Sequence, residues 1–409
     1  MKPQKQRGGR GRERTAKYAT KEYALSGGVR GGAPEIFSAC PLGSYRLGNV
    51  CGMKSLRHAW ERICSFENLL LAYRRARRGK SSSPCVQRFE IERETQILRI
   101  QRSLRDGTYE PGPHRTFTIR EPKARLIAAA PFADRVVQHA LCAVIQPFLE
   151  HSFIDGTYAC IAGRGTHRAV DRYTYFARRH RYALKMDVKR FFPSVDIDIL
   201  FALLARRLPE PQVRHLVRKI LTSGRAACEP VVSYLPGDTL FTPQEHLRGL
   251  PIGNLTSQLW ANVYLDGLDH FVVEQLRCGA YLRYMDDFVI FGDDKFALRG
   301  VMRTVADWLA AERRLLLHDT KCHVHRVIDG VTFLGYRVWP DHRRVKRATV
   351  LRAFRRVGKC SRAFACGRMT LAQVKSSLMA WLGHTKHADA RQLERRVCAN
   401  LRLVAPHAA

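Results

Sequence analysis

The decapeptide "RYMDDFVIFG" (283–292) sets two adjacent carboxylates, Asp286 and Asp287, between apolar runs that read as two β-strands. Neighbouring like charges repel, and they are costly unless water, a partner or a cation compensates them. A bend carrying Asp-Asp therefore has two readings. It is a solvated hairpin turn, for which Asp is a good residue, or it is a hairpin that binds metal. Far upstream, "YALKMDV" (182–188) is a short, mostly apolar strand ending at Asp187. If these elements are neighbours in one antiparallel sheet, three carboxylates converge and cannot all stay ionised without divalent cations. Hard oxygen ligands select magnesium, with manganese possible. Two such ions about 3.5–4 Å apart would clamp an in-line phosphoryl displacement.

Charge narrows the partners. Seventy Lys and Arg face thirty-six Asp and Glu, a formal net charge of +34 spread along the whole chain. Such an excess repels itself unless polyanions neutralise it, and phosphate backbones are the usual partner. An anionic membrane would want an amphipathic basic helix or an anchor, and no apolar run is long enough to span a bilayer. Twelve cysteines lie scattered without a C-x-x-C pair. They read as reduced, packed thiols of a cytoplasmic protein. In "KCHVH", Cys322, His323 and His325 lack a second ligand pair at zinc spacing.

The 409 residues suffice for two or three domains. Residues 1–52 are rich in Gly, Arg and Lys and read as a flexible basic extension, either a nucleic-acid arm or a dispensable tail. Helical spacing then runs through "SFENLLLAYRRARRGK" and through "RFEIERETQILRIQRSLRDG", which Gly107 stops. Two strands, "RTFTI" and "RLIAAA", flank a basic turn, and a long helix follows from Phe132. A basic helix leads into the strand of Asp187. "LPIGNLTSQLWANVYLDGLDHFV" is a loop opening a helix whose broad apolar girth predicts burial on most sides. After the Asp-Asp hairpin come a helix near 296–314, a strand pair in "GVTFLGYRVW" and a basic helical tail. This order is an α+β plan, not an alternating βαβ one.

At this point the sequence resembles a reverse transcriptase. "LKMDVKRFFPSVD" resembles the first catalytic block of that family, "RYMDDFVIFG" its Tyr-x-Asp-Asp block and "TFLGYRVWP" its primer-contacting block, in the family's order. The resemblance covers about 60–400. It implies a right-hand polymerase: fingers and the start of the palm over 53–180, a palm with an antiparallel sheet over 181–342, and a helical thumb with the tail over 343–409.

Residue roles follow from the same resemblance. Asp187 and Asp286 would be the main metal ligands, Asp287 would support them, and the Val188 carbonyl would complete the shell. Phe192 matches the bulky gate against a ribose 2′-hydroxyl, or is an ordinary core residue beside Phe191. Lys123 and Arg125 match the basic finger hairpin that grips the triphosphate, with Arg164 a second candidate; each is otherwise a solvated charge. Lys321 falls where the family often has a Lys near the pyrophosphate, a general acid or a plain strand-edge Lys. Tyr284, Phe333, Leu334, Gly335 and Tyr336 would contact primer or template, Tyr284 lying beneath the primer end unless it only packs the sheet.

One departure points further. Most bacterial relatives carry Gln-Gly-x-x-x-Ser-Pro where this chain has "IGNLTSQ": Ile252, Gly253, Ser257 and Gln258. That variant resembles the reverse transcriptases of diversity-generating retroelements, as do "YEPGPHRTFTIREPKARLIAAAPFADRVVQHAL" and "AWLGHTKHAD". The resemblance implies copying of a template RNA into cDNA with errors opposite adenine, from dNTPs and a primer, with a small basic accessory variability protein as partner. A retron, defence-associated or group II intron enzyme is the alternative, and a catalytically idle RNA-binding protein a third. Ile252 and Gly253 would lie beside the incoming nucleotide. Ile has no donor or acceptor with which to check a nascent base pair, where Gln has both.

Overall fold

The computed structural model describes residues 56–120, 124–228 and 246–404, together with residues 234, 238, 239 and 241. The basic extension 1–52 and Lys123 lie outside the described residues. The first helices are α1 (Ala59–Cys64), α2 (Phe66–Arg77), α3 (Pro84–Ile91) and α4 (Arg93–Arg105), packed on the long α5 (Phe132–Glu150). The single helix expected over 88–107 is two. Glu92 breaks it at φ −111°, ψ 31°, so that Phe89 of α3 and Ile97 of α4 are both buried. Phe89 stacks on Tyr73 at 5.6 Å and meets Phe132 edge-on at 5.0 Å, an arrangement worth more than the buried area alone. Gly107 terminates α4 at φ 71°, where a side chain would be strained. Strands β1 (Arg115–Ile119) and β2 (Arg125–Ala129) form a two-stranded ribbon, as expected.

The centre is a four-stranded antiparallel sheet in the order β4–β5–β3–β6, made of β3 (Tyr182–Asp187), β4 (Tyr281–Tyr284), β5 (Asp287–Gly292) and β6 (His323–Arg326). Strand side chains alternate between faces. Leu184, Met186, Phe288 and Ile290 sit in the larger core with the helices. That core includes α7 (Phe191–Ser194), α8 (Ile197–Ala205), α9 (Pro211–Ala226), α10 (Leu255–His270) and α11 (Lys295–Arg313). As its girth predicted, α10 buries residues on most sides, Trp260, Tyr264 and Leu268 among them.

The opposite face carries Ala183, Leu282, Val289 and Phe291, covered by α6 (Thr166–Ala177) and by a three-stranded sheet of β7 (Val331–Phe333), β8 (Tyr336–Val338) and β9 (Arg343–Val345). The basic tail is α12 (Arg347–Ala365), α13 (Leu371–Thr385), opened by a Thr370–Gln373 capping box, and α14 (Arg391–Ala399). No helix among the described residues is long and apolar enough to cross a membrane. Every described cysteine is a free thiol.

Candidate active site

The apolar cover on the second face stops before the ends of β3 and β5. By alternation Lys185 and Asp187 follow Ala183, and Asp287 precedes Val289, so the residues left beyond the cover are charged. Asp187 pairs in register with Asp287. The Asp187 carbonyl accepts from the His318 amide, on the side away from β5. The two aspartates therefore form a non-hydrogen-bonded pair, the closer kind, with Cα atoms typically about 4.5 Å apart and side chains on one face. Val188 bridges Leu317 through the Asp187 carbonyl and the Lys189 amide. Its own carbonyl consequently turns to the β5 side.

Two lysines compensate the charge. Lys321 contacts Asp187, and Lys185 lies 3.3 Å from Asp287. Among the described residues Asp286 has no such partner. Burial pushes its carboxyl up to about 6; its own backbone amide, the next largest effect, pulls it back, the negative Asp287 and Asp187 raise it, and Arg125 lowers it least. Asp287 is also raised, by burial first, with Lys185 pulling it back.

The hairpin between β4 and β5 is closed by the Tyr284–Asp287 pair around a two-residue loop, Met285–Asp286. Met285 takes φ 57°, a left-handed conformation usually left to Gly or Asn, and one that surrounding contacts must hold. Those contacts lie on the far face of β4. Arg283, fully buried, donates to the Met285 carbonyl at 3.1 Å. Its other donors clamp Asp269 of α10 at 2.7 and 2.6 Å and reach Asn262 at 3.1 Å. Tyr281 and Thr157 donate to the same Asp269 carboxylate at 2.6 and 2.8 Å.

A cavity of about 470 Å³ opens beside the loop and brings together Asp286, Asp287, Arg125, Phe192, Ile252 and Gly253. Tyr284, Gln258 and Leu334 also line it, as do Arg190 and Met285. Phe192 meets Phe191 edge-on at 5.3 Å and is half-buried. Tyr284 shares a hydrogen bond of 3.1 Å with Thr166. The Ile252 carbonyl accepts from Ala128 of β2, and Asn254 accepts from Ala130, so the "IGN" segment ties the ribbon to α10. At Gly253, with φ 123°, a Cβ would stand 3.0 Å from Ile127.

Three expectations are corrected. Arg164 is not beside the cavity; its guanidinium donates to the Ile154 and Thr157 carbonyls at 2.6 and 2.7 Å and pairs with Asp155, which fixes a loop. Phe333 and Tyr336 are fully buried, Phe333 stacked on Tyr173 and Tyr336 bonded to His384, so neither side chain can touch a primer. The tip of that β7–β8 turn is Leu334 and Gly335, at φ 44° and 91°.

Third, the carboxylates converge in register without forming a cage. Among the described residues no three His, Cys, Asp or Glu side chains stand ready to hold an ion, and Asp187 and Asp287 each contact a lysine. In "KCHVH", Cys322 packs against the Asp187 backbone and His323 bonds the Thr320 carbonyl. The donor set nonetheless fits a hard divalent cation. It is all oxygen, and Asp286 is costly to ionise without added positive charge.

Sequence reasoning missed Lys185, Arg190, Arg283 and Asp269. Lys185 was within reach, two residues before Asp187 on the same strand and so on the same face.

Residues 118–338 match the family model described as reverse transcriptase (RNA-dependent DNA polymerase). The group II intron-encoded protein LtrA of Lactococcus lactis subsp. cremoris is 28% identical over 184 residues, 44% of this chain and 29% of that protein. Protein YkfC of Escherichia coli (strain K12) is 24% identical over 291 residues, 60% of this chain and 71% of that one. The chain thus spans less than a third of the LtrA length. Among solved structures, apo telomerase from Candida tropicalis aligns with a TM-score of 0.42 and 12% identity, covering 59% of this chain and 49% of that one.

Proposed function

The chain belongs to the reverse transcriptase family, and from that premise we propose that it is an RNA-directed DNA polymerase making cDNA from a template RNA, a primer and dNTPs. The observation that carries this reading is the register pairing of Asp187 with Asp287, which lines, with Asp286, a cavity that also holds Arg125 and Phe192. Asp187 and Asp286, with Asp287 and the Val188 carbonyl, would hold two magnesium ions (manganese possible), which when bound supply positive charge to the attacking 3′-hydroxyl and the leaving pyrophosphate. Arg125 grips the triphosphate with a planar fork. Lys321, which contacts Asp187, would give a proton to the pyrophosphate. Phe192 closes the sugar side against a 2′-hydroxyl. Catalysis on this reading is positioning and electrostatics.

Within the family we favour the diversity-generating retroelement type, with adenine-directed errors and a small basic accessory variability protein as partner. The support is Ile252 in place of an amide, on the cavity wall with Gln258. A group II intron-type enzyme is the second reading, favoured by the similarity to LtrA.

Primer extension by the purified chain on an RNA template with magnesium, beside Asp286→Ala, tests the activity. The expected result is dNTP incorporation that the variant abolishes while still binding RNA; incorporation by neither protein refutes it. Sequencing of the cDNA separates the types, by an excess of errors opposite adenine or its absence.

A further inference from the structure

A second concavity, of about 490 Å³, shares no lining residue with the carboxylate cavity. It lies between the 155–164 loop and α6 and is walled by Arg164, Arg168, Arg172, Tyr158 and Tyr175. Two carboxylates also line it, and both are engaged: Asp155 with Arg164 at 3.2 Å and Asp171 with Arg343 at 2.6 Å. Arg164 is spent on its loop carbonyls. Arg168 and Arg172, one helical turn apart, make no ion pair among the described residues, so the concavity carries net positive charge from forks that match phosphate.

Beside them is a flat surface. Tyr175 is 43% exposed. The Arg179 guanidinium lies 3.6 Å from its ring centroid and that of Arg172 4.9 Å away, with Arg172 also 4.5 Å from the Phe176 ring. These stacks hold long side chains in fixed planar poses, which lowers the entropy lost when a ligand binds. Unpaired nucleobases stack on aromatic rings and on guanidinium planes, while bases inside an A-form duplex are already stacked and present only backbone. Phosphate forks next to an exposed Arg–Tyr platform thus favour a single strand over a duplex.

We propose that this face of α6 holds a single-stranded stretch of RNA outside the copying cavity. The inference goes beyond polymerase activity and does not need it, because binding is scored on the Asp286→Ala chain as well.

The test uses the full chain and a short oligouridylate carrying 4-thiouridine. Ultraviolet crosslinks are mapped to peptides, and affinity is measured by fluorescence anisotropy across salt concentrations. Crosslinks are expected on the peptides of Tyr158 and Tyr175. Arg168→Ala with Arg172→Ala should weaken binding about tenfold and reduce the salt slope by roughly 1.4, two phosphates on a single strand. Tyr175→Ala should weaken it several-fold and Tyr175→Phe hardly at all, while extension of a short annealed template–primer stays unchanged. Crosslinks found only elsewhere would overturn the proposal. So would equal competition by duplex RNA, equal competition by polyglutamate, or a parallel loss of short-primer extension, which would assign the face to a duplex groove, an acidic protein or the copying track respectively.

Discussion

Arg283 and Asp269 meet through two hydrogen bonds of 2.7 and 2.6 Å where neither side chain has any solvent exposure, and the same guanidinium holds the Met285 carbonyl. The strained loop that presents Asp286 is therefore anchored through the sheet to helix α10, on the face opposite the chemistry. Breaking a buried pair by removing one partner leaves an uncompensated charge, at about 3–5 kcal/mol. Asp269→Leu alone should lower unfolding free energy by that amount, and the double variant with Arg283→Leu by clearly less. Urea unfolding of the two singles and the double measures the coupling; additive losses would show that the pair does not act as a unit.

Asp286 gives a pH signature. Its folded-state carboxyl is raised to about 6, above the ordinary 3.8, so the folded chain holds a proton there that the unfolded chain releases. Relative to Asp286→Asn, stability from this group is fully present below pH 3.8 and is lost as pH rises through about 6. In chelator, Asp286→Asn should be more stable than the parent above pH 6, by on the order of 2 kcal/mol, with the advantage gone near pH 4. Melting curves across that window check the sign. A constant difference at every pH would mean that the carboxylate is not desolvated.

Phe192 lines the cavity with one edge on Phe191, where a smaller side chain leaves room. Phe192→Val should cut the preference for dNTP over rNTP, as a ratio of kcat/KM, by roughly 10–200-fold, the range that pocket shape can supply. Single-nucleotide incorporation kinetics measure it. An unchanged ratio would leave Phe192 as a core residue only.

Ile252 is fixed by its backbone bond to Ala128, so a Gln there would be presented from the same point of the cavity wall. Ile252→Gln should lower errors opposite template adenine several-fold while leaving other template bases little changed. Deep sequencing of the cDNA reads this directly; an unaltered error spectrum would remove residue 252 from the account of fidelity.

Strands were legible almost to the residue. β3 ends at Asp187 and β1 spans Arg115–Ile119 as read, the first as a short, mostly apolar run that is largely buried and the second, exposed throughout, from its β-branched and aromatic residues. The helix break at Glu92 was not legible, since nothing in local spacing distinguishes one helix from two set at an angle by what they pack against. The three aspartates followed from spacing and charge. Their supports did not: Asp269 and Arg283 are brought together only by the tertiary packing of α10 under the sheet. The block 333–336 shows a different limit. A motif identifies the turn, but which of its side chains face inward depends on the sheet it joins, and Phe333 and Tyr336 went to the core.

The ribbon of β1 and β2 carries Arg125 at one end and, through Ala128, is pinned to the peptide of residue 252. On the proposed reading, grip on the incoming triphosphate and the wall that would face its base are geared to one rung of hydrogen bonding. A tilt of the ribbon displaces both together, so substitutions far out on that arm can alter copying accuracy without ever meeting a base.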